Sequence, residues 1–315
     1  MVKYAFVFPG QGSQQVGMGL ELYQNFKAAK DVFDEVDNAL NQNLFKLMTE
    51  GSLFELTLTS NAQPAIMAVS MAVINVLQKE FSIDLSSKLC FVAGHSLGEY
   101  AAACTSGVFS LTDTAKLLRL RGDSMQKAVP LGIGGMAAIL GLSYEDIDSL
   151  VEACAEENKC CVAANDNADG QVVLSGHISS LEKAIEIAPE FGAKKAVMLP
   201  VSAPFHSPLM KPAEDIMSKA LKNVQSFDPK IPLISNFTAA VSSSKEEIIQ
   251  NLIKQITGRV RWRETTQFLF DNDITDIIEI GPSNVLSNMI KRSNKEIYTT
   301  SISTPAQIEE LAKNL

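Results

Sequence analysis

One serine stands in a sequence context that can make it a nucleophile. Ser96 lies within the stretch Gly94 to Gly98, between an apolar run, Leu89 to Ala93, and a stretch of small residues with helical character. Gly-x-Ser-x-Gly between a strand and a helix is the pattern of the nucleophile elbow, a sharp turn that exposes the serine hydroxyl. The helix N-terminus beneath it favours developing negative charge. The pattern predicts an enzyme that transfers or hydrolyses acyl groups through Ser96.

A serine hydroxyl is a poor nucleophile near neutral pH unless a base lies beside it. The chain has three histidines, His95, His177 and His206. His95 directly precedes the serine, so its side chain should diverge from the serine's, and His177 has the context of a surface turn. His206 lies in a loop stiffened by Pro204 and Pro208. This loop comes where a small subdomain, expected from the order of strands and helices, rejoins the larger one. We therefore expect His206 to be the general base.

The third member of a hydrolase triad is not evident. An esterase of the α/β-hydrolase type has its acid between the serine and the histidine in chain order. Among the aspartates in that interval are Asp113, Asp123, Asp166 and Asp169, and none of these four has an acid-loop context. Arg121, by contrast, lies in a mostly apolar helical stretch. Its side chain could form a surface salt bridge or hold a substrate carboxylate, and the residues alone leave both open.

The first strand, residues 3–9, runs into a polar loop with two glycines, Gly10 to Gln14. Glycines permit positive φ and leave backbone N–H groups free. The loop is either an ordinary strand-to-helix turn or an anion-binding loop. By itself it does not decide between the two.

Bulk composition excludes several classes. The 315 residues are 46% hydrophobic and carry a net charge of −9, which argues against binding to nucleic acid or to an anionic membrane. No run of 18 apolar residues predicts a membrane span. No signal peptide precedes the first strand, and the five cysteines form no C-x-x-C pair, so we expect reduced cysteines and a cytoplasmic protein. Three histidines without ligand spacing make a metal site unexpected.

Strands and helices alternate along most of the chain, which predicts an α/β fold with a doubly wound parallel sheet. A long apolar helix is expected over residues 61–81, opened by a capping box, Ser60 to Gln63. Residues 130–200 have the order β-α-β-β-α-β, with strands at 160–164 and 171–174 joined by a polar loop. That order is typical of a ferredoxin-like subdomain. We expect it to be inserted in a larger, α/β-hydrolase-like domain formed by residues 1–129 and 201–315.

Six motifs stand out along the chain: Phe8 to Gln14, Gly94 to Glu99, Leu120 to Gly122, Pro204 to Ser207, Gln255 ahead of Val260 to Trp262, and Glu279 to Pro282. Taken together, in this order and spacing, they resemble the malonyl-CoA:acyl carrier protein transacylases of bacterial type II fatty-acid synthesis. The resemblance covers essentially the whole chain.

The resemblance implies a catalytic dyad rather than a triad. Ser96 is then the nucleophile and His206 the base, with the main-chain carbonyl of Gln255 orienting the imidazole in place of an acid. The backbone N–H groups of Gln11 and Leu97 form the oxyanion hole. This assignment gives the N-terminal glycine loop a function and accounts for the missing aspartate.

The resemblance also implies the substrates. Arg121 clamps the free carboxylate of the malonyl group, and Phe205, His95 and Asn165 contribute to substrate binding. Phe205 is bulky and leaves little room for an α-methyl group. The malonyl group moves from malonyl-CoA to the phosphopantetheine thiol of holo acyl carrier protein. No cofactor is expected, because the coenzyme A thioester is itself a substrate, and neither nucleic acid nor a membrane is an expected partner.

The carrier protein is acidic in this family, and this chain is acidic too. Docking therefore requires a local basic patch. The candidates are Lys194 with Lys195, and the cluster of Arg259, Arg261 and Arg263.

Three other functions remain open on sequence grounds. A serine esterase or thioesterase shares the elbow but has no use for Arg121. A silent acyl-binding module shares the fold but would not need Ser96 and His206. An acyltransferase of a polyketide or malonate-decarboxylase pathway shares the chemistry.

Overall fold

The computed structural model describes residues 2–201 and 203–315. Its strands form two sheets. The strands are β1 (Tyr4–Phe8), β2 (Leu89–Gly94), β3 (Gly134–Leu140), β4 (Cys161–Ala168), β5 (Gln171–His177), β6 (Lys195–Met198), β7 (Leu233–Ile234), β8 (Val241–Ser242), β9 (Asp276–Ile280) and β10 (Tyr298–Ile302).

Eight α-helices precede β3 in the described part of the chain. They are α1 (Leu20–Asn25), α2 (Lys27–Leu40), α3 (Leu44–Glu50), α4 (Leu53–Thr57), α5 (Thr59–Lys79), α6 (Leu85–Lys88), α7 (Gly98–Thr105) and α8 (Leu111–Lys127). The helices of the second half are α9 (Tyr144–Ala153), α10 (Ile178–Ile187), α11 (Lys211–Asn223), α12 (Lys245–Gln255), α13 (Trp262–Asp271), α14 (Val285–Ser293) and α15 (Pro305–Asn314). Short 3₁₀ turns cover Ala188–Phe191 and Pro208–Met210.

The larger sheet has the strand order β10-β9-β1-β2-β7-β8. Its neighbours pair in parallel, except β7 and β8, which are antiparallel. β1 and β9 are buried except at their first residue, as parallel strands covered on both faces must be. The expected α/β class with a parallel sheet is confirmed. Because β1 and β2 are neighbours and run the same way, the glycine loop after β1 and Ser96 after β2 lie at the same edge.

Helix α5 runs through the core between α2 and α8. By length and composition it could cross a membrane, but 83% of its most apolar window is buried inside the protein. The predicted capping box is wrong. The helix begins at Thr59 after Leu58, which makes no side-chain cap, and Gln63 instead donates to the Thr59 hydroxyl at 2.8 Å. The local sequence does not show that the Gln63 side chain faces the protein interior, where it hydrogen-bonds to residues outside the predicted cap.

The smaller sheet has the strand order β4-β5-β3-β6, and its neighbouring strands are antiparallel. Helices α9 and α10 pack on this sheet. Between them lies a separate apolar core that includes Ile139, Leu150, Leu174 and Leu181. The two sheets therefore have cores of their own.

The polar loop predicted over residues 165–170 is mostly strand. β4 continues to Ala168, with irregular register around Asn165 and again before its end. Asparagine and aspartate are disfavoured in strands. They are held here by partners from the larger part of the chain, since the N–H of Asp166 donates to Val260 at 2.9 Å, and Val260 donates to Ala164 at 2.8 Å. Such long-range pairs are not visible in local sequence.

Candidate active site

The turn between β2 and α7 is a strained elbow. Ser96 has a φ of 53°, in the left-handed region that non-glycine residues rarely adopt. A Cβ on Gly98 would lie 2.1 Å from the carbonyl oxygen of Phe8, and one on Gly94 would lie 2.0 Å from the carbonyl of Gly98. Only glycine fits at either position, because strand and helix approach too closely for a side chain. The turn holds the Ser96 hydroxyl at the sheet edge, as the pattern predicts.

Ser96 and His206 lie together although they are far apart in sequence. Ser96 Oγ is 2.8 Å from His206 Nε2, and His206 Nδ1 is 2.8 Å from the carbonyl oxygen of Gln255. A carbonyl oxygen only accepts hydrogen bonds, so Nδ1 carries the proton and Nε2 is free to accept from the serine. Gln255 ends α12 and is fully buried, which fixes this carbonyl.

The environment keeps His206 uncharged. Burial, reinforced by the positive charge of Arg121, lowers the pKa of His206 to about 3. The imidazole is therefore neutral at physiological pH and can take a proton from Ser96. Within the described residues, no carboxylate hydrogen-bonds to this ring.

Two backbone N–H groups beside Ser96 remain available to a ligand. Gln11 and Leu97 both line the pocket, and in the described parts of the chain neither N–H donates a hydrogen bond. The N–H of Ser96 itself is occupied, since it donates to Asn236 Oδ1 at 2.7 Å. Paired free N–H groups facing a nucleophile can stabilise an oxyanion.

Arg121 extends from α8 into the same site and is 1% exposed. Its Nη1 donates to Gln63 Oε1 at 2.8 Å, and its Nη2 donates to Gln255 Oε1 at 2.9 Å. Nη2 also lies 3.1 Å from Ser96 Oγ. Two glutamine side chains thus hold a guanidinium against the nucleophile. A fixed guanidinium can bind a carboxylate with both prongs of its fork.

The pocket around Ser96 has a volume of about 390 Å³. Phe205 and Asn165 line it, and both are less than a tenth exposed. His95 also lines it, but its Nε2 is 2.8 Å from Asn167 Oδ1 and its ring lies against Trp262. Burial lowers the pKa of His95, so this ring is neutral as well. Every site residue predicted from the sequence therefore touches the pocket or, for Gln255, the residues that form it.

Sequence reasoning missed three residues of this site. The local pattern places Gln63 in a helix cap, and nothing in the sequence around Asn236 indicates a role. Glu99 is the final residue of the elbow motif, and the motif assigns it no function. Asn236 holds the elbow at both ends, because its Nδ2 also donates to the carbonyl of Gly94 at 2.6 Å. The glutamate after the elbow was a usable signal, since an acidic residue in so apolar a stretch requires a buried partner.

Carboxylates partly neutralise the arginine cluster that was a docking candidate. Arg259 and Arg261 both pair with Glu264, and Arg263 forms a two-pronged ion pair with buried Asp166. These ion pairs, which the local sequence does not show, reduce the charge available for docking, and the role of the cluster in docking stays a prediction. Lys194 and Lys195 are exposed.

No group of three or more side chains with metal-ligand chemistry occurs among residues 2–201 and 203–315. The groups at the site are a serine, a neutral base, two free N–H groups and a fixed cation, and they can carry out nucleophilic chemistry. A serine-dependent acyl transfer enzyme is the class that this fold and site define.

A family profile of the acyl transferase domain matches residues 5–314. The chain belongs to the acyl transferase family and is an acyltransferase. It is 45% identical over 309 residues to the malonyl CoA-acyl carrier protein transacylase of Bacillus subtilis (strain 168), covering 98% of this chain and 96% of that protein. The resemblance found in the sequence motifs is thereby confirmed.

Two solved structures are similar over nearly their full length. The acyl-carrier-protein S-malonyltransferase of Bartonella henselae superposes with a TM-score of 0.97 at 49% identity, covering 99% of each chain. A malonyl-transacylase in complex with its type II polyketide-synthase acyl-carrier protein has a TM-score of 0.95 at 35% identity, covering 99% of this chain and 100% of that one.

Proposed function

We propose that this protein transfers the malonyl group of malonyl-CoA to the phosphopantetheine thiol of acyl carrier protein, supplying malonyl carrier protein for fatty-acid synthesis. The observation that carries the proposal is the 3.1 Å separation between Arg121 Nη2 and Ser96 Oγ. A cation this close to the nucleophile suits an acyl group that has a carboxylate of its own. An esterase for simple esters has no use for it. The names of the similar proteins support the same substrates.

In the first half-reaction the malonyl carboxylate binds Arg121 and the thioester carbonyl faces the N–H groups of Gln11 and Leu97. Ser96 attacks the carbonyl carbon while His206 takes its proton. The tetrahedral oxyanion is stabilised by the two N–H groups, each worth on the order of 3 kcal/mol in such sites. The C–S bond breaks, His206 protonates the departing coenzyme A sulfur, and a malonyl-serine ester remains.

The second half-reaction reverses the first with a different thiol. The phosphopantetheine thiol of the carrier protein gives its proton to His206 and attacks the ester carbonyl. Ser96 leaves with a proton from His206, and a new thioester is released. Two half-reactions on one nucleophile give ping-pong kinetics. No cofactor is needed, because the bond broken and the bond formed are both thioesters.

The test is a two-stage labelling experiment. The protein is mixed with malonyl-CoA, and the mass of the intact chain is measured before and after addition of water alone or of holo acyl carrier protein. We expect one malonyl group per chain, stable in buffer and discharged rapidly by the carrier protein. Rapid discharge in buffer alone would instead identify a thioesterase, and absence of any label would leave a silent acyl-binding module.

Removing the guanidinium should remove the preference for a carboxylate. We expect Arg121→Ala to lower kcat/KM for malonyl-CoA by about 10²- to 10³-fold, the usual cost of breaking a buried charge pair. The rate with acetyl-CoA should change far less, because that acyl group has no carboxylate. Both rates are measured by release of coenzyme A.

Arg119 provides the matched control. It lies on the same helix but donates to Asn61 Oδ1 at 2.9 Å, away from Ser96. Arg119→Ala should keep the malonyl preference. Full malonyl preference in Arg121→Ala would contradict the assigned clamp.

Phe205 precedes the base and closes one side of the pocket. We expect Phe205→Ser to raise the rate with methylmalonyl-CoA relative to malonyl-CoA, because the smaller side chain makes room for a methyl group. The effect should be about tenfold or more, since one methyl in a pocket is worth ~1–3 kcal/mol. Competition between the two thioesters measures the ratio directly. An unchanged ratio would show that Phe205 does not select the acyl group.

We also propose that residues 130–200 form a ferredoxin-like subdomain inserted between residues 1–129 and 201–315. The antiparallel strand order and the separate core support this division.

We further propose a cytoplasmic location. The five free cysteines support a reducing compartment.

We propose that the acidic carrier protein docks on the surface that carries the exposed side chains of Lys194 and Lys195.

A further inference from the structure

Glu99 is a carboxylate buried at the start of α7, just beyond the nucleophile. It is fully inaccessible to solvent. One oxygen, Oε2, accepts from the N–H of Asn236 at 3.1 Å and from Nε2 of Gln255 at 2.6 Å. The other, Oε1, makes no hydrogen bond of good geometry among the described residues, although the Ser235 hydroxyl interacts with the carboxylate. A buried carboxylate with an unpaired oxygen is costly, so a compensating charge or a proton is required.

The compensating charge is one amide away. The side chain of Gln255 receives the Arg121 guanidinium at Oε1, at 2.9 Å, and donates from Nε2 to Glu99. The amide dipole is therefore aligned between a cation and an anion. The same Nε2 donates to the carbonyl of Ser96 at 2.9 Å, which fixes which end of the amide faces each partner.

Few other charges act on this pair. Arg121 from α8 and Tyr100 from α7 itself are the ionisable groups that interact with Glu99 electrostatically. Burial raises the pKa of Tyr100 to about 12 and lowers those of His95 and His206, so these three groups are uncharged at neutral pH. In the described lining of the pocket, Arg121 is the only residue with a formal charge.

We propose that Glu99 is the counter-ion of Arg121 in the empty site and takes up a proton when the malonyl carboxylate binds. This inference rests on the proposed malonyl transfer. Once the malonyl carboxylate binds the guanidinium, two negative charges face one positive charge, and both Glu99 and Arg121 are buried. Protonation of Glu99 restores the balance, because a nearby like charge favours the neutral acid.

The titration range of Glu99 suits this role. Burial raises its pKa to about 7, although the hydrogen bonds from Asn236, Gln255 and Ser235 and the charge of Arg121 oppose the shift. In the empty site Glu99 is therefore mostly ionised above pH 7 and mostly protonated below it. An added negative charge raises the pKa further. Proton uptake on acylation should accordingly grow as pH rises from 6 to 8.

Counting the protons taken up from solution separates protonation of the protein from the chemistry of acylation. During acylation the Ser96 proton leaves on the coenzyme A sulfur, so the reaction itself takes up no proton at neutral pH. The fraction of coenzyme A released as thiolate is known by titrating free coenzyme A. Any remaining uptake belongs to the protein.

The experiment mixes wild-type protein with malonyl-CoA in weakly buffered solution containing a pH indicator, and counts malonyl-serine by intact mass. We expect malonyl binding to raise the pKa from near 7 to well above 8, so that uptake per acylated serine is below about 0.2 proton at pH 6 and above about 0.5 at pH 8. Glu99→Gln is the matched variant, because its Oε1 can still accept from Gln255 and Asn236 while its charge is gone. Its uptake should be absent at both pH values.

A second readout is the pH profile of kcat/KM. In wild type, kcat/KM for malonyl-CoA should fall as pH rises above 7, approaching tenfold per pH unit, because acylation must then draw a proton from solution. In Glu99→Gln this decline should disappear, whereas a residue with only a structural role would leave the profile's shape unchanged. Wild-type acylation without proton uptake at pH 8 overturns the inference, whatever the variant does. Failure of malonyl-CoA to acylate the protein at all would instead overturn the proposed function.

Discussion

Ser96→Ala should abolish the malonyl-enzyme intermediate and lower transfer to acyl carrier protein by at least about 10⁴-fold, the loss typical of removing a catalytic serine. The elbow presents one hydroxyl to the pocket between the base and the oxyanion donors. Alanine fits the same backbone space and leaves His206 without a proton to accept. The measurement is the intact mass after malonyl-CoA, followed by the rate of transfer to the carrier protein.

The control for this variant is Ser149→Ala, which removes an exposed hydroxyl from α9 in the smaller sheet's layer. It should be labelled like wild type. Malonyl label retained in Ser96→Ala would show that another residue is the nucleophile, and it would overturn the assignment of the whole site.

His206→Ala should lower the rate of acylation by about 10³- to 10⁴-fold while leaving Ser96 in place. The imidazole is the one base within reach of the serine in the described site, at 2.8 Å. Without it the hydroxyl must lose its proton to water, which is a far weaker base. The measurement is the pre-steady-state burst of coenzyme A release, since it reports acylation alone.

The pH dependence of the wild-type enzyme provides a second test of this base. Since the pKa of His206 is about 3 in the empty site, lowering the pH from 7 to 5 leaves the imidazole neutral. The acid limb of kcat/KM should therefore lie below pH 5, where protonation removes the base. His177→Ala is the control, because that imidazole accepts from the N–H of Cys160 outside the pocket. An unchanged burst of coenzyme A release in His206→Ala would contradict the assignment of His206 as the base.

The predicted position of Ser96 was obtainable from sequence because the elbow is local. Its requirements are a strand, a turn with glycines at two close approaches, and a helix, all within a few residues. Gly94 and Gly98 are needed because a Cβ at either would lie within about 2.1 Å of a backbone atom. The loop after β1 was ambiguous by itself, and the family resemblance, not its composition, indicated a function for it.

The errors share one cause. Ser60 to Gln63 matched a capping pattern, yet Gln63 is turned inward to hold Arg121. Residues 165–168 have the composition of a turn, yet they continue β4 because Val260, from the larger part of the chain, pairs with this segment. In both cases a partner distant in sequence outweighed the local preference.

The sequence alone determined the α/β class and, through the motifs, the family and its substrates, and it predicted the nucleophile and the base. Each of these follows from residue types in a short pattern or from several patterns in order. Only the tertiary structure decided how charge and hydrogen bonds are distributed. It brings Arg121, Gln255 and Glu99 into one line behind Ser96, from three different helices. The physical reason is that the energy of a buried charge depends on every group packed around it, and those neighbours are set by the fold.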